Sequence, residues 1–173
     1  MLIPFYIVEH ELAAAETRTI TIFAPYDGVP PGSYGLFEYY CPDPACDCRR
    51  VMLNVVEKQN PDLLLAAISY AFDRDDEMAG PLLDPMNPQC EYAENLLRLV
   101  DEMTLREPDY IARLERHYAI VKQAASDPTH PAYRRLQKTV ADDANPIPIP
   151  VLRPARKSRK KRPKRKSRPR RKR

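Results

Sequence analysis

The amino-acid sequence predicts an α+β fold, in which a small antiparallel β-meander carries a cysteine-rich metal knuckle at a hairpin tip. Two to three helices and a disordered basic tail follow it. Segments rich in β-branched and aromatic residues precede residue 73, and helical periodicity begins after Cys90. This order favours helices packed on one face of a sheet. With 173 residues and 43% apolar residues, the chain is long enough for one domain with its own core.

Three segments predict the first strands. Residues 18–24 (RTITIFA) are rich in β-branched types, residues 34–40 (YGLFEYY) read as a second strand, and a Pro/Gly loop joins the two. Residues 50–57 (RVMLNVVE) carry apolar side chains on both faces, which is typical of a central strand. The connection between the second and third strands must reverse the chain, so we expect a hairpin tip there.

The next two segments lead from the sheet to the helices. Residues 63–72 could form a buried helix, because Leu and Ala fill the first half, or a strand, because Ile68, Tyr70 and Phe72 alternate with small residues. We interpret the segment as a fourth strand that completes the meander. Residues 73–89 contain four Pro and Gly residues and a block of acids, which predicts a loop.

Helical patterns dominate the second half of the chain. From Cys90 to about Arg106, apolar residues recur at spacings of three and four, which predicts an amphipathic helix. A second helix is expected to begin at Pro108, since proline suits the first turn. A short third helix is expected from about Pro131 to Val140.

Composition divides the chain into three parts. Residues 1–144 are the expected folded domain, residues 145–154 (NPIPIPVLRP) a polyproline linker, and residues 155–173 a disordered polybasic tail. Of the 28 Lys and Arg residues, 15 lie between Arg153 and Arg173, whereas all 24 acidic residues precede position 144. The first 152 residues therefore hold 13 basic and 24 acidic side chains, a net charge of −11, and the remainder carries +15.

Three of the four cysteines lie within eight residues. Cys41, Cys46 and Cys48 form the pattern C-x4-C-x-C in a turn stiffened by prolines. Zinc prefers four tetrahedral ligands, commonly thiolates, so the turn is interpreted as most of a structural zinc site. Cys90 is the expected fourth ligand and His10 the alternative. The other interpretations are three free thiols or a redox C-x-C pair, whose vicinal disulfide would be strained.

The basic tail indicates a polyanionic partner. A dense run of Lys and Arg without aromatic residues suits phosphate contacts and not base stacking, so DNA or RNA would be bound with little sequence preference. A nuclear localisation signal, an anionic-membrane contact and a solvated tail are the alternatives. The expected nucleic-acid-binding residues are Arg156, Lys157, Arg159, Lys160, Lys161, Arg162, Lys164, Arg165, Lys166, Arg168, Arg170, Arg171, Lys172 and Arg173.

Together these features predict a non-enzymatic, zinc-containing, nucleic-acid-associated or adaptor protein. Its acidic body would bind a protein partner while its tail holds DNA or RNA. The N-terminus lacks the basic region of a signal peptide and no stretch of 18 apolar residues occurs, so we expect a cytoplasmic protein without a transmembrane segment, or a nuclear one in a eukaryote.

An enzyme is the alternative from another class. Carboxylates in a loop beside a strand can hold Mg²⁺ or Mn²⁺, so a metal-dependent nuclease or related hydrolase would use Asp73 and Asp75 together with His117 or His130. His117 is expected to be partly buried beside the apolar face of the second helix. The sequence contains no glycine-rich phosphate loop, G-x-S-x-G, H-E-x-x-H or Rossmann fingerprint.

Overall fold

The computed structural model describes residues 1–73, 75–76 and 78–142. Within them the predicted α+β fold is confirmed, with six strands in one antiparallel sheet and five helices. The expected linker, residues 145–154, and tail, residues 155–173, lie outside the described residues. The elements are β1 (Ile3–Pro4), α1 (Phe5–Val8), α2 (His10–Glu16), β2 (Arg18–Ile22), β3 (Gly32–Tyr40), β4 (Arg50–Glu57), β5 (Asn60–Ala71), β6 (Gly80–Leu83), α3 (Ala93–Val100), a π-helical turn (Asp101–Leu105), α4 (Pro108–Ser126) and α5 (Tyr133–Asp142).

The sheet is a meander with a divided edge. Its order is β1-β3-β4-β5-β6, and β2 also pairs with β3. The expected hairpin of β2 and β3, the central position of β4 and the choice of a strand for residues 63–72 are all confirmed. The register of β4 on β5 pairs Arg50 with Ala71 at one end and shifts at a bulge near Val56.

Two short strands share one side of β3. Strand β1 pairs with Tyr39 and Tyr40 at the end of β3, whereas β2 pairs with the segment from Gly32 to Leu36. None of the described strands covers this side of β3 at Phe37 and Glu38. Helices α1 and α2 arch over that two-residue gap, because they connect β1 to β2. The sequence analysis assigned no element to this N-terminal segment.

Two boundaries differ from the prediction. The loop expected over residues 73–89 contains β6, which pairs with the end of β5 and tolerates Pro81 because it is an edge strand. Gly80 opens β6 at a φ of +89°, a conformation that suits glycine. The helix expected from Cys90 begins at Ala93, after a turn in which the Ala93 N–H donates to the Cys90 carbonyl.

The core lies between the sheet and the C-terminal helices. Side chains of β3 alternate, so that Tyr34, Leu36 and Tyr40 are buried on the side facing the helices. Leu114 and Val121 of α4 are fully buried in the same core. The predicted Pro108 start of α4 is confirmed. Among the described residues, no helix combines the length and the apolar character needed to cross a lipid bilayer.

Candidate metal centre

The β3–β4 turn brings three thiols together. Cys41 follows the last residue of β3, and Cys48 precedes the start of β4 by two residues. The Sγ atoms of Cys41, Cys46 and Cys48 all lie within 4.8 Å of one another. Tetrahedral zinc with bonds of about 2.3 Å separates its sulfur ligands by about 3.8 Å. The group could therefore hold a metal ion with little movement of the chain.

Local hydrogen bonds fold the turn. The Asp43 carboxylate accepts a hydrogen bond from the Ala45 N–H at 2.9 Å, and the Cys46 N–H donates to the Asp43 carbonyl at 3.2 Å. The Cys48 N–H also points at the Cys46 sulfur, 3.5 Å away. An extended chain would place Cys46 and Cys48 too far apart for one metal, so this curl is what makes them joint ligands.

A lysine of α4 fixes the turn to the helical layer. The Lys122 Nζ donates to the backbone carbonyls of Asp43 at 2.6 Å and Cys46 at 2.7 Å, and it lies 5.3 Å from the Tyr118 ring centroid. A charged donor shared by two carbonyls orients the turn and leaves the sulfurs free for a metal. The turn is thus held from the outside as well as by its own hydrogen bonds.

Cys46 and Cys48 hold their thiol protons unequally. Hydrogen bonds from the Cys48 thiol and backbone lower the pKa of the Cys46 thiol. Burial, followed by the hydrogen bonds to Cys46 and Cys41, raises the pKa of the Cys48 thiol to about 12. Cys46 is therefore the first of this pair to become a thiolate. A bound cation would draw the remaining protons off the group, as metal binding to thiols requires.

The two fourth-ligand candidates lie elsewhere. Cys90 is held beside the middle of β5, where its N–H donates to the Leu65 carbonyl at 2.8 Å. The thiol turn adjoins Arg50, the first residue of β4, which pairs with Ala71 of β5. Leu65 lies six residues before Ala71, so Cys90 and the thiol turn are separated by roughly 20 Å along β5. His10 opens α2 and lines a cavity at the divided sheet edge. Neither belongs to the thiol group, which holds three ligands within the described part of the chain.

The two hydrogen bonds from Lys122 to the turn, which we call the Lys122 clamp, can be tested by substitution. We expect Lys122→Met, which keeps most of the hydrocarbon stem, to lower the free energy of unfolding by about 1–3 kcal/mol, because two charge-assisted hydrogen bonds are lost. Urea denaturation measures this change. Lys138→Met, at an exposed lysine of α5, is the matched control and should stay close to wild type. Equal stabilities of the two variants would contradict the clamp.

The residues proposed for a nuclease are not brought together. Asp73 lies two residues beyond the end of β5, where its carboxylate accepts a hydrogen bond from the Asp75 N–H at 3.0 Å. His117 instead contacts Glu38, whose strand partner is Leu53 of β4. Leu53 lies three residues, or about 10 Å, along β4 from Arg50, which pairs with Ala71 at the end of β5. The acidic loop is not among the metal-holding groups of the described residues. Asp73 and His117 therefore lie apart in the described structure, and the nuclease alternative stays a prediction.

Asp76, in the same acidic loop, and His130 have local roles. The Asp76 carboxylate accepts hydrogen bonds from the Met78 N–H and from Arg50, and these contacts lower the pKa of Asp76. His130 accepts a hydrogen bond from the Ala132 N–H at 3.1 Å at the start of the α5 region. Both side chains shape a loop instead of converging on a shared ligand.

His117 is more deeply buried than the sequence predicts. It is 1% exposed, and its Nδ1 lies 2.6 Å from the Glu38 Oε2 while its Nε2 lies 2.9 Å from the Glu16 Oε2. The Tyr40 hydroxyl also donates to the Glu38 Oε2 at 2.7 Å. The ring of Phe5 stacks on the imidazole with centroids 4.0 Å apart. We call Glu16, whose side chain is 27% exposed, and the buried His117 and Glu38 the buried triad, after its two buried members.

One signal for this triad was present in the sequence. Glu38 occupies the same face of β3 as Tyr34, Leu36 and Tyr40, which places a carboxylate on a face that is otherwise apolar. A buried carboxylate needs a partner, so its position could have indicated a polar network. The partner His117 is 79 residues away in sequence, and no local pattern connects the two.

Comparison with protein-family models, with curated proteins and with solved structures finds no match for this chain.

Proposed function

We propose that this protein is a non-enzymatic, zinc-stapled adaptor that associates with DNA or RNA. The convergence of Cys41, Cys46 and Cys48 carries the proposal, because three thiols in a polar turn suit a soft or borderline metal such as zinc. Zinc would pin the β3–β4 turn and so fix one end of the central hairpin. Its fourth position would be filled by water or by a ligand outside the described residues.

The charge division supports the two other parts of the proposal. The first 152 residues carry 13 basic and 24 acidic side chains, and a net charge of −11 disfavours direct contact with a polyanion. The last 21 residues carry 15 positive charges, which favours phosphate binding. The acidic body would therefore bind a protein partner, and the tail would hold nucleic acid.

Removal of the tail tests nucleic-acid association. We expect the full chain to bind short DNA and RNA oligonucleotides with similar affinity, and the affinity to fall about a thousandfold or more between low and physiological salt if six or more phosphates are neutralised. A chain ending at residue 152 should lose this binding. Fluorescence anisotropy at several salt concentrations measures both effects.

A tail of identical composition in scrambled order is the matched control. Because the attraction is electrostatic, the scrambled tail should bind as the natural one does. Equal binding by the full chain and by the chain ending at residue 152 would contradict the proposal for the tail.

A further inference from the structure

A small cavity lies at the divided edge of the sheet. It measures about 210 Å³ and lies where α1 and α2 arch over Phe37 and Glu38. Pockets for drug-sized ligands measure about 300–1,000 Å³, so this one suits a smaller molecule. Its lining residues are Phe5, Tyr6, His10, Ala13, Ala14, Thr17, Phe37, Glu38 and His117.

Two members of the buried triad, His117 and Glu38, lie at the base of this cavity. Carboxylates only accept hydrogen bonds, so contacts at both ring nitrogens of His117 need a proton at each. The Arg116 guanidinium balances Glu16 on the outer side of the triad, 2.5 Å from its Oε2. Glu38 is left with the His117 ring and the Tyr40 hydroxyl as its partners.

One oxygen of Glu38 is free to receive a ligand. The side chain of Glu38 is 5% exposed, and both the Tyr40 hydroxyl and the His117 Nδ1 contact its Oε2. No donor among the described residues contacts the Oε1. Since Glu38 lines the cavity, an unpartnered carboxylate oxygen of a nearly buried side chain faces the space where a ligand would sit.

The walls around that oxygen are aromatic. Phe5, Tyr6 and Phe37 line the cavity, and the Phe5 ring lies parallel to the imidazole of His117, with an interplanar angle of 13°. Aromatic faces attract cations and exclude water from an ion pair. A carboxylate oxygen among aromatic rings is the combination that recognises ammonium groups.

The neighbouring cations of the protein do not fill this position. Arg116 forms an ion pair with Glu16 on the outer side of the triad at 2.5 Å, and Arg113 lies over the Tyr110 ring, 4.7 Å from its centroid. Neither arginine lines the cavity. Among the described residues no Lys or Arg forms an ion pair with Glu38, so a cationic ligand can take the position beside its Oε1.

We propose that this cavity binds a small organic ammonium ion, with its charged head at the Glu38 Oε1 and a compact apolar body between Tyr6, Phe37 and the alanines of α2. The proposal is independent of the metal centre and of the basic tail. Binding would fill the gap in the sheet edge and bridge α2 to β3.

Three probes of the same size and different charge test the proposal. The full chain would be titrated with benzylamine, benzyl alcohol and benzoate, and binding would be followed by amide NMR shifts. Benzylamine is expected to give saturable shifts at Phe37, Glu38 and Ala13, with affinity about tenfold or more above that of the alcohol. Absence of saturable benzylamine binding, equal affinity for all three probes, or preference for benzoate would overturn the proposal.

Two variants locate the binding in the cavity. Glu38→Gln keeps the shape of the side chain and removes its charge, so benzylamine affinity should fall about tenfold or more. Ala14→Phe fills the cavity from an exposed position of α2 and should abolish binding while leaving the fold intact. Glu94→Gln, at an exposed carboxylate of α3, which packs on β5 and β6 and not on the cavity, is the control and should bind as wild type does. Unchanged binding by Ala14→Phe would overturn the proposal even if Glu38→Gln failed to fold.

Discussion

Cys46→Ser is expected to release the metal and lower the free energy of unfolding by about 4 kcal/mol, the contribution of a ligand present at a thousand times its dissociation constant. The variant breaks the three-thiol group while changing one atom in a partly exposed turn. For a domain of this size, the loss corresponds to a drop in melting temperature of about 10 °C or more. Thermal and urea denaturation of zinc-loaded protein, with metal analysis of the same samples, measure it.

Cys90→Ser is the matched control for this result. It makes the same substitution at a half-buried cysteine beside the middle of β5. It should keep the metal content of wild type and change stability little. Wild-type protein that is free of metal after purification without chelators, and whose melting temperature does not rise with added zinc, would contradict the metal centre. Loss of metal from Cys90→Ser would restore Cys90 as a ligand.

Glu38→Ala is expected to cost about 3–5 kcal/mol of unfolding free energy, which is the range for breaking a buried charged network by removing one member. The change deprives the His117 Nδ1 and the Tyr40 hydroxyl of their shared acceptor inside the core. Burial, reinforced by Glu38, raises the pKa of Tyr40 well above its ordinary value, so its hydroxyl stays a donor at neutral pH. Tyr40 retains a longer bond to the Leu114 carbonyl at 3.2 Å.

Glu107→Ala provides the comparison with an exposed ion pair. Glu107 pairs with Arg18 at 2.8 Å, and both side chains are more than one-third exposed, so the expected cost is below about 1 kcal/mol. Urea denaturation with equal m-values compares the two variants. If Glu38→Ala costs no more than Glu107→Ala, the triad is not a buried network.

Local patterns were enough to predict most of the sheet and the helices. The alternation in β2 and β3, the two-sided apolar pattern of β4 and the proline at the start of α4 are short-range signals, and each element forms as expected. The N-terminal elements were missed because β1 is two residues long and α1 is four, which is too short for a period to appear. Strand β6 was missed because Gly80 and Pro81 usually mark a loop.

Whether a candidate site could be predicted depends on how far apart its residues lie in the sequence. The three thiols lie within eight residues, so their convergence needs only a turn, and the sequence predicted it. The position of Cys90 depends on the register of β5, and the buried triad joins Glu38 to His117 across 79 residues. Such contacts are set by tertiary packing, which the spacing of residues in the chain does not encode.

Two short outer strands of the sheet, β1 and β6, also disfavour the addition of a strand from another chain. Strands β1 and β6 are two and four residues long, and each contains a proline, Pro4 and Pro81, which cannot donate a backbone hydrogen bond to an incoming strand. The arch of α1 and α2 interrupts the edge between β1 and β2. Long unpaired edges are the templates on which chains aggregate into extended β-structure. The sheet ends at β1 and β6 are therefore poor templates for the addition of a further strand.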